Sequence, residues 1–346
     1  MFAIKKLSKN TTMQKNRMLN PTMLDTFLEK ETQGLPNASG LTHLLLEIAS
    51  CSQNIASIIA RGALGEASAK LASINVQGET QMALDVLCND LFVASLRKSG
   101  VVAAFVSEEM DEPVSINTQN GQFIVNFDPL DGSSNVAVNV SVGTIFSILP
   151  ASNPLDYLQS GTAQIAAGYV LYGPATMIVL TLGAGTHGFT LDSDTQQYVL
   201  THPQILIPEL TNEYAINASN ARFWQAPVQR YIAECNAGKE GVRGQDFNMR
   251  WVASMVADVH RILMRGGVYL YPQDNKLLLK AGRLRLLYEA NPMSFIVEQA
   301  GGLSTTGRAR IMQITPENVH QRVPVIMGSR AELSRIEQYH QAFDEK

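Results

Sequence analysis

The chain has 346 residues, of which 45% are hydrophobic and 17% are charged, and its formal net charge is −4. No basic helix or aromatic platform suggests nucleic acid, and the longest apolar stretches are broken by glycine and proline, so neither a nucleic-acid partner nor a membrane span is expected. Cys51, Cys88 and Cys235 show no paired spacing, which favours free buried thiols in a reducing compartment.

The first hundred residues predict helices. The basic residues before Asp25 loosely resemble an organellar leader, although such a tail is also common at the end of a cytoplasmic protein. Thr22 is the expected N-cap of the first helix. Residues 41–60 carry apolar side chains near the helical period and predict a long amphipathic helix. The glycine-bearing stretch 61–79 predicts a loop, and residues 82–98 predict a further helix.

From residue 101 to residue 200 the pattern changes to short β-prone runs. Their connections are too short for βαβ units, so a mainly antiparallel sheet packed by the earlier helices is expected. Gly183, Gly185 and Gly188 spell GxGxxG, but they lie between two predicted strands and indicate a hairpin rather than a dinucleotide site. The predicted strands are 101–107, 122–127, 142–149, 165–173, 175–182, 187–191 and 196–200.

A second set of helices and strands follows a proline-bearing stretch, and we place a domain boundary near residue 205. The length of the chain favours two domains, here 1–205 and 206–346. The second set comprises predicted helices at 227–236, 249–264, 292–300 and the C-terminus, and predicted strands at 268–272 and 323–327.

The segment FDPLDGSSN, residues 127–135, is the most informative motif of the chain. Asp128 and Asp131 offer hard carboxylate oxygens, and no His or Cys lies nearby, so the preferred ion is Mg²⁺ or Mn²⁺. Gly132, Ser133 and Ser134 can point backbone N–H groups into one concavity, as phosphate requires. The motif therefore predicts a metal and a phosphate within one turn.

Further acids stand at the ends of predicted elements. Glu108 and Glu109 follow a predicted strand, and Glu79 and Asp85 flank the junction of the loop with the third helix. Each acid alone is typical of a solvated surface, but beside the DPLDGSS motif they indicate a multi-metal phosphoryl site. Two like charges about 4 Å apart repel by roughly 4 kcal/mol at an effective dielectric near 20, so clustered carboxylates require cations before they accept a phosphate.

Several long motifs, in order, resemble those of class I fructose-1,6-bisphosphatases. The resemblance runs from about residue 22 to about residue 330 and implies an α+β fold, the layered α/β/α/β/α sandwich of the sugar and inositol phosphatases. It implies a metal and 1-phosphate site in the first domain, together with a degenerate AMP-type region, and a sugar and 6-phosphate site in the second. The motifs lie at 77–90, 106–109, 127–135, 140–149, 254–261 and 282–293.

The resemblance also implies individual roles. Asp85 and Glu109, with Glu79, would orient and deprotonate the attacking water, and Mg²⁺ would be the cofactor, with Mn²⁺ or Zn²⁺ as substitutes. The residue matching Arg250 reaches a neighbouring subunit in the family, which implies at least a dimer and usually a tetramer. The implied metal ligands are Glu79, Glu108, Asp128, the Leu130 carbonyl, Asp131 and Glu289. The implied substrate-binding residues are Asp131, Gly132, Ser133, Ser134, Asn217, Arg250, Trp251, Met255, Tyr269, Tyr271, Arg283 and Arg285.

The chain departs from the animal members of that family at several positions. Glu79 stands where an Asp is usual, Arg283 replaces a lysine, Trp251 replaces a tyrosine and Ala137 replaces an Asp. The positions that hold the AMP phosphate read 37–40 Asn-Ala-Ser-Gly, 122–123 Gln-Phe and 149–150 Leu-Pro, without the cationic partners. Weak or no inhibition by AMP is therefore expected.

Other phosphatases of the same group remain as alternatives. A sedoheptulose-1,7-bisphosphatase or a dual-specificity enzyme shares the motifs, whereas an inositol phosphatase needs no second phosphate clamp of the kind that residues 250–260 and 282–293 suggest. An inactive regulatory homologue would be expected to have lost a ligand, yet each matching side-chain metal position carries a carboxylate.

Overall fold

The computed structural model describes residues 21–64, 77–153, 156–277 and 281–345. The basic N-terminal tail and most of the loop predicted at 61–79 lie outside these ranges. Within them, no helix combines the length and the apolar character needed to cross a membrane.

An eight-stranded sheet forms the first β layer, in the order β2-β1-β3-β4-β5-β6-β7-β8. Its pairs are antiparallel, as predicted, except that β1 and β3 run parallel. The exception arises because the edge strand β2 occupies the connection between them and pairs on the other side of β1. The strands are β1 (Val102–Ser107), β2 (Val114–Ser115), β3 (Phe123–Asp131), β4 (Val142–Pro150), β5 (Ala166–Tyr172), β6 (Thr176–Thr181), β7 (Thr186–Leu191) and β8 (Tyr198–His202).

Three helices cover one face of this sheet: α1 (Leu24–Glu31), α2 (Ala38–Arg61) and α3 (Gln77–Ser99). The prediction of Thr22 as the cap of α1 is wrong, because Met23 occupies the N-cap position and makes no side-chain cap bond. The Thr22 carbonyl instead accepts a hydrogen bond from Leu200 N–H at 2.9 Å, so this segment extends the sheet beyond β8. Helix α3 begins five residues before its predicted start.

The second half of the chain builds a five-stranded sheet in the order β10-β9-β11-β15-β13 and a two-stranded ribbon of β12 and β14. The helix predicted at 249–264 begins only at Met255, because residues 248–249 pair as a strand and Ser254 caps the helix. The strands are β9 (Glu213–Ile216), β10 (Asn248–Met249), β11 (Val268–Tyr271), β12 (Leu284–Arg285), β13 (Leu303–Thr305), β14 (Arg322–Val323) and β15 (Val325–Gly328). The helices are α4 (Ala226–Asn236), α5 (Met255–Arg265), α6 (Asn291–Gln299) and α7 (Arg330–Asp344).

The hydrophobic clusters define five layers. One cluster joins α1, α2 and α3 to the first sheet, and a second packs the other face of that sheet against α5, α6 and the second sheet. A third packs the far face of the second sheet against α4 and α7. The layered α/β/α/β/α architecture is thus confirmed. The three glycines of the GxGxxG pattern lie in the β6–β7 hairpin, and the three cysteines are free and buried, both as predicted.

Candidate active site

The strand that carries the DPLD motif contains a one-residue bulge. Asp128 lies opposite Ile145 and Asp131 lies opposite Gly143, so three steps along β3 match two steps along β4. Side chains alternate along a regular strand, and residues three apart would therefore point to opposite faces. The bulge turns Asp128 and Asp131 toward the same side, and the Leu130 N–H between them donates to Asp128 Oδ1 at 2.9 Å.

The third acid comes from the other half of the chain. Glu289 lies in a π-helical turn, Leu286–Ala290, directly before α6. Its carboxylate and those of Asp128 and Asp131 have oxygens that all lie within 4.8 Å of one another, and the three residues are buried. A π-helical turn is often found at a functional site, and here it directs a side chain of the second half into the first.

Burial and mutual repulsion make the ionised form of this cluster unfavourable. Burial, and then the charge of Glu108, raise the pKa of Asp128 and of Glu289 well above the usual range. Burial raises the pKa of Asp131 to about 6, against the opposing hydrogen bonds from Val256 N–H and Ser254. A buried group of oxygen ligands with excess negative charge fits a hard divalent cation.

Arg285 lies among these acids. Its Nη1 is 2.5 Å from Glu108 Oε1 and 4.0 Å from Glu289 Oε2, while its backbone N–H donates to Glu289 Oε2 at 2.5 Å. The sequence assigned Arg285 to substrate binding, and its ion pairs place it within the carboxylate cluster as well. It is a partial counterion for two of the predicted metal ligands.

Asp85 and Glu109 form a second pair of acids beside the first. Burial, and then the charge of Glu109, raise the pKa of Asp85 to about 7, although a hydrogen bond from Ser133 opposes the shift. Burial and Glu108 also raise the pKa of Glu109. Asp85 Oδ1 is buried without a hydrogen-bond partner among the described residues. A carboxylate with a pKa near neutrality suits proton transfer. Glu79 lies in the first turn of α3, and its side chain is outside the described part of the structure.

The phosphate-type turn is packed against the start of α5. Gly132 has a φ of 72°, and a Cβ at this position would lie 2.7 Å from Ser254 Cβ, so the turn requires glycine. Ser133 and Ser134 open the short 3₁₀ helix Ser133–Val138. Asp131 Oδ2 accepts from Ser254 Oγ at 2.9 Å and from Val256 N–H at 3.0 Å, which ties the motif to the helix.

An aromatic group lies on the second sheet, next to the basic residues. Trp251 stacks on Tyr269 at 5.9 Å with an interplanar angle of 11°, and Tyr271 meets Trp251 edge-on at 5.7 Å. The Arg283 guanidinium lies 5.7 Å from the Tyr271 ring centre and 3.5 Å from Asp274 Oδ2. These contacts bring together Trp251, Tyr269, Tyr271 and Arg283, four of the residues that the resemblance assigns to substrate binding.

The remaining predicted substrate residues differ in exposure. Asn217 Oδ1 accepts from Ser219 N–H at 3.1 Å and from Ser219 Oγ at 2.6 Å, so the amide nitrogen is the end left to donate. Met255 is only 2% exposed and packs in the core between the sheets. Arg250 is exposed at the end of β10, with its N–H bonded to the Tyr214 carbonyl at 2.7 Å.

Comparison with known proteins identifies the family. A model described as the N-terminal domain of fructose-1,6-bisphosphatase matches residues 22–203, and one for the C-terminal domain matches residues 207–341. The chain belongs to the fructose-1,6-bisphosphatase family. It is 54% identical over 327 residues to a class 1 fructose-1,6-bisphosphatase of Hydrogenophilus thermoluteolus, covering 92% of this chain and 91% of the relative. It is also 54% identical to a class 1 member of Methylobacillus flagellatus, covering 93% and 98%.

A solved structure supports the same assignment. The holo form of Leishmania major fructose-1,6-bisphosphatase superimposes with a TM-score of 0.83 at 35% identity, covering 93% of this chain and 99% of that one. Members of this family are phosphatases, and the chain is therefore a phosphatase.

The structure also reveals supporting residues in this fructose-1,6-bisphosphatase fold that sequence reasoning missed. The Asp258 carboxylate is fully buried and accepts from Val252 N–H at 3.1 Å and from Ala253 N–H at 3.2 Å. Ala253 has a φ of 69°, which is unusual for a residue other than glycine. Asp258 thus holds the turn between Trp251 and α5. In the sequence, the only indication of this role is an acidic residue within an amphipathic helix.

Proposed function

We propose that this enzyme hydrolyses the 1-phosphate of fructose 1,6-bisphosphate to give fructose 6-phosphate and phosphate. The observation that carries the proposal is the buried cluster of Asp128, Asp131 and Glu289, whose oxygens lie within 4.8 Å beside a phosphate-type turn. The relatives at 54% identity are named for this substrate.

The acidic cluster would hold Mg²⁺, with Mn²⁺ or Zn²⁺ as substitutes. The proposed ligands are Glu79, Glu108, Asp128, the Leu130 carbonyl, Asp131 and Glu289. When bound, divalent ions lower the pKa of water and neutralise charge on phosphoryl oxygens. The raised pKa values of Asp128 and Glu289 support the assignment, because they mark carboxylates that lack sufficient positive charge.

The chain's own residues supply positioning and proton transfer. Asp85 and Glu109 orient the attacking water, and one of the two carboxylates accepts its proton; the pKa of about 7 at Asp85 suits this role. The backbone of Gly132, Ser133 and Ser134 holds the 1-phosphate with N–H donors. These groups lie next to each other because Ser133 is hydrogen-bonded to Asp85.

The second domain, residues 206–346, would select the substrate. Arg283 and the amide nitrogen of Asn217 donate to the 6-phosphate, and Tyr271 stands beside Arg283. The stacked pair of Trp251 and Tyr269 forms a wall for the sugar. Arg250 is exposed and would complete the site of a neighbouring subunit, so the proposed assembly is a dimer or a tetramer.

Regulation by AMP is proposed to be weak or absent. The carboxamide oxygen of Gln122 would lie 2.3 Å from a Cβ built on Gly40, in the first turn of α2, so it fills the space at the start of that helix. No cationic side chain stands at 37–40, 122–123 or 149–150. Half-inhibition of the purified enzyme by micromolar AMP would refute this part of the proposal.

A seven-carbon sugar bisphosphate is the second candidate substrate, because the same acids and basic clamp would serve it. The test measures phosphate release from fructose 1,6-bisphosphate, sedoheptulose 1,7-bisphosphate and inositol 1-phosphate, with Mg²⁺ and with a chelator. Phosphate release from fructose 1,6-bisphosphate that occurs with Mg²⁺ and stops with the chelator supports the proposal. Release that persists in the chelator, or no release from fructose 1,6-bisphosphate, refutes it. The expected setting is gluconeogenesis or carbon fixation in the cytoplasm.

A further inference from the structure

A buried polar link joins the helix that carries Asp85 to the turn that carries Glu109. Ser107, the last residue of β1, is 1% exposed, and its Oγ donates to Asn89 Oδ1 at 2.7 Å. The same Oγ accepts from the Glu109 N–H at 3.2 Å. One hydroxyl therefore connects α3 to the turn after β1.

The link begins one helical turn from Asp85. Asn89 follows Asp85 by four residues on α3, so their side chains leave the same face of the helix, and both residues are 8% exposed. The Glu108 N–H is held separately by the Phe127 carbonyl at 3.1 Å. Hydrogen bonds thus link the helix of Asp85 to the turn of Glu109, from the Asn89 side chain through the Ser107 hydroxyl to the Glu109 backbone N–H.

Apolar packing alone does not fix this geometry. Phe92, also on α3, stacks on Phe127 with ring centres 4.4 Å apart and an interplanar angle of 24°. That contact holds α3 against β3, but stacked rings tolerate small sliding movements, whereas hydrogen bonds constrain distance and direction. Since Ser107 is buried, water does not compete for its two bonds.

We propose that Ser107 and Asn89 are positioning residues that fix the separation of Asp85 and Glu109 for activation of the attacking water. The inference rests on the proposed roles of these two acids. Neither Ser107 nor Asn89 needs to touch the substrate. A misplacement of about 1 Å in a reacting group costs up to about 100-fold in rate, so the loss of the link should reduce kcat rather than substrate binding.

The central test is Ser107→Ala, assayed with fructose 1,6-bisphosphate at saturating Mg²⁺. We expect kcat to fall by about 10-fold to 100-fold with KM within about twofold of wild type. The matched control is Ser99→Ala, at the C-terminal end of α3: Ser99 is also buried, but its Oγ donates to the Leu96 carbonyl at 2.6 Å, far along the helix from Asp85. Ser99→Ala should retain the wild-type kcat.

A double-mutant cycle with Glu109→Gln separates positioning from general destabilisation. If Ser107 acts through the acid pair, Ser107→Ala should cost less than about twofold once Glu109 has been neutralised. The inference is overturned if Ser107→Ala matches Ser99→Ala, or if it costs the same factor in both backgrounds. If Ser107→Ala fails to fold, Asn89→Leu serves in the same cycle with the same expected split between kcat and KM.

The cycle also distinguishes this inference from the proposed function. If wild type releases no phosphate from the fructose ester, or if Glu109→Gln and Asp85→Asn leave kcat unchanged, the proposed function or the assigned roles are wrong. If those variants are strongly impaired and Ser107→Ala is not, only the positioning role fails.

Discussion

The carboxylate half of the candidate site and the proposed substrate-binding half differ in how deeply the folded chain buries them. Asp128, Asp131 and Glu289 are 2%, 6% and 4% exposed and are brought together by a bulge and a π-helical turn. Arg250 is exposed, and Arg283 has a side chain that is 26% exposed. The acids are therefore preassembled in a single chain, whereas the basic residues remain accessible to a phosphate.

The two halves also differ in electrostatic balance. The acids repel one another in a buried setting, with Arg285 as a partial counterion. Arg283 already has Asp274 at 3.5 Å and an aromatic ring beneath it. We infer that the acidic half has been selected for activity at the expense of stability, and that the basic half carries no such conflict.

The largest expected effect follows from neutralising one acid. Asp128→Asn should lower kcat by at least about 10²- to 10³-fold, a loss typical when one group that stabilises transition-state charge is removed. In chelator at pH 8 the same variant should melt at a higher temperature than wild type, because burial, and then the charge of Glu108, raise the pKa of Asp128, and its ionised form disfavours the fold. Each kcal/mol gained should raise Tm by about 1–2 °C.

Asp194→Asn is the control for this substitution, since Asp194 lies exposed in the β7–β8 turn. It should leave activity unchanged. An Asp128→Asn protein that keeps wild-type kcat, or one that is less stable than wild type in chelator, would contradict the difference drawn between the two halves.

In the basic half, the effect should appear in KM. Arg283→Met removes charge-assisted hydrogen bonds worth about 1.5–3 kcal/mol, so KM for fructose 1,6-bisphosphate should rise about 10-fold to 100-fold. Arg283→Lys should recover part of the loss, because it keeps the charge without the planar fork. Steady-state kinetics of wild type, Arg283→Met and Arg283→Lys measures these changes in KM. An unchanged KM in Arg283→Met would show that Arg283 does not bind the 6-phosphate.

The pH dependence of stability offers a smaller effect. Asp85 has a folded pKa raised from 3.8 to about 7, so the protonated form is favoured in the folded state. Its contribution to stability is full below about pH 4 and is lost as the pH rises to about 7. In chelator, Asp85→Asn should therefore gain stability relative to wild type between pH 5 and pH 8. Melting curves across this range test the sign, and a constant difference would contradict it.

The smallest expected effect concerns the turn between Trp251 and α5. Ala253 has a φ of 69°, and a left-handed conformation costs a residue with a Cβ about 1 kcal/mol. Ala253→Gly should therefore raise the free energy of unfolding by up to about 1 kcal/mol, measured by urea denaturation. Ala94→Gly, at an exposed position within α3, should lower it by a similar amount. If both substitutions change the free energy of unfolding in the same direction, the backbone at Ala253 is not strained.

The sequence predicted the acidic half from two kinds of signal. Asp128, Asp131 and the following turn formed a local motif, and the strand pattern placed Glu108 and Glu109 at a strand end. Glu289 lies more than 150 residues away, and only the family resemblance linked it to the motif. The bulge that aligns Asp128 with Asp131 could not be predicted, because the alternation of a strand does not reveal an extra residue.

The sequence did not predict the polar contacts between residues that lie far apart in the chain. Arg285 bonds to Glu108 and Ser107 bonds to Asn89 across separations that leave no periodic pattern. The parallel pairing of β1 with β3 was missed for a related reason, since the edge strand β2 made the connection look like that of an antiparallel meander. Such features depend on how the elements meet rather than on any one segment.

The proposed function requires that the acidic half promotes hydrolysis of the 1-phosphate by water while the basic residues hold the 6-phosphate. Phosphorus NMR of the products formed from fructose 1,6-bisphosphate in Mg²⁺ tests it most directly, because it identifies which ester remains. We expect fructose 6-phosphate and inorganic phosphate as the products, with no turnover in chelator. Fructose 1-phosphate as the product would contradict it.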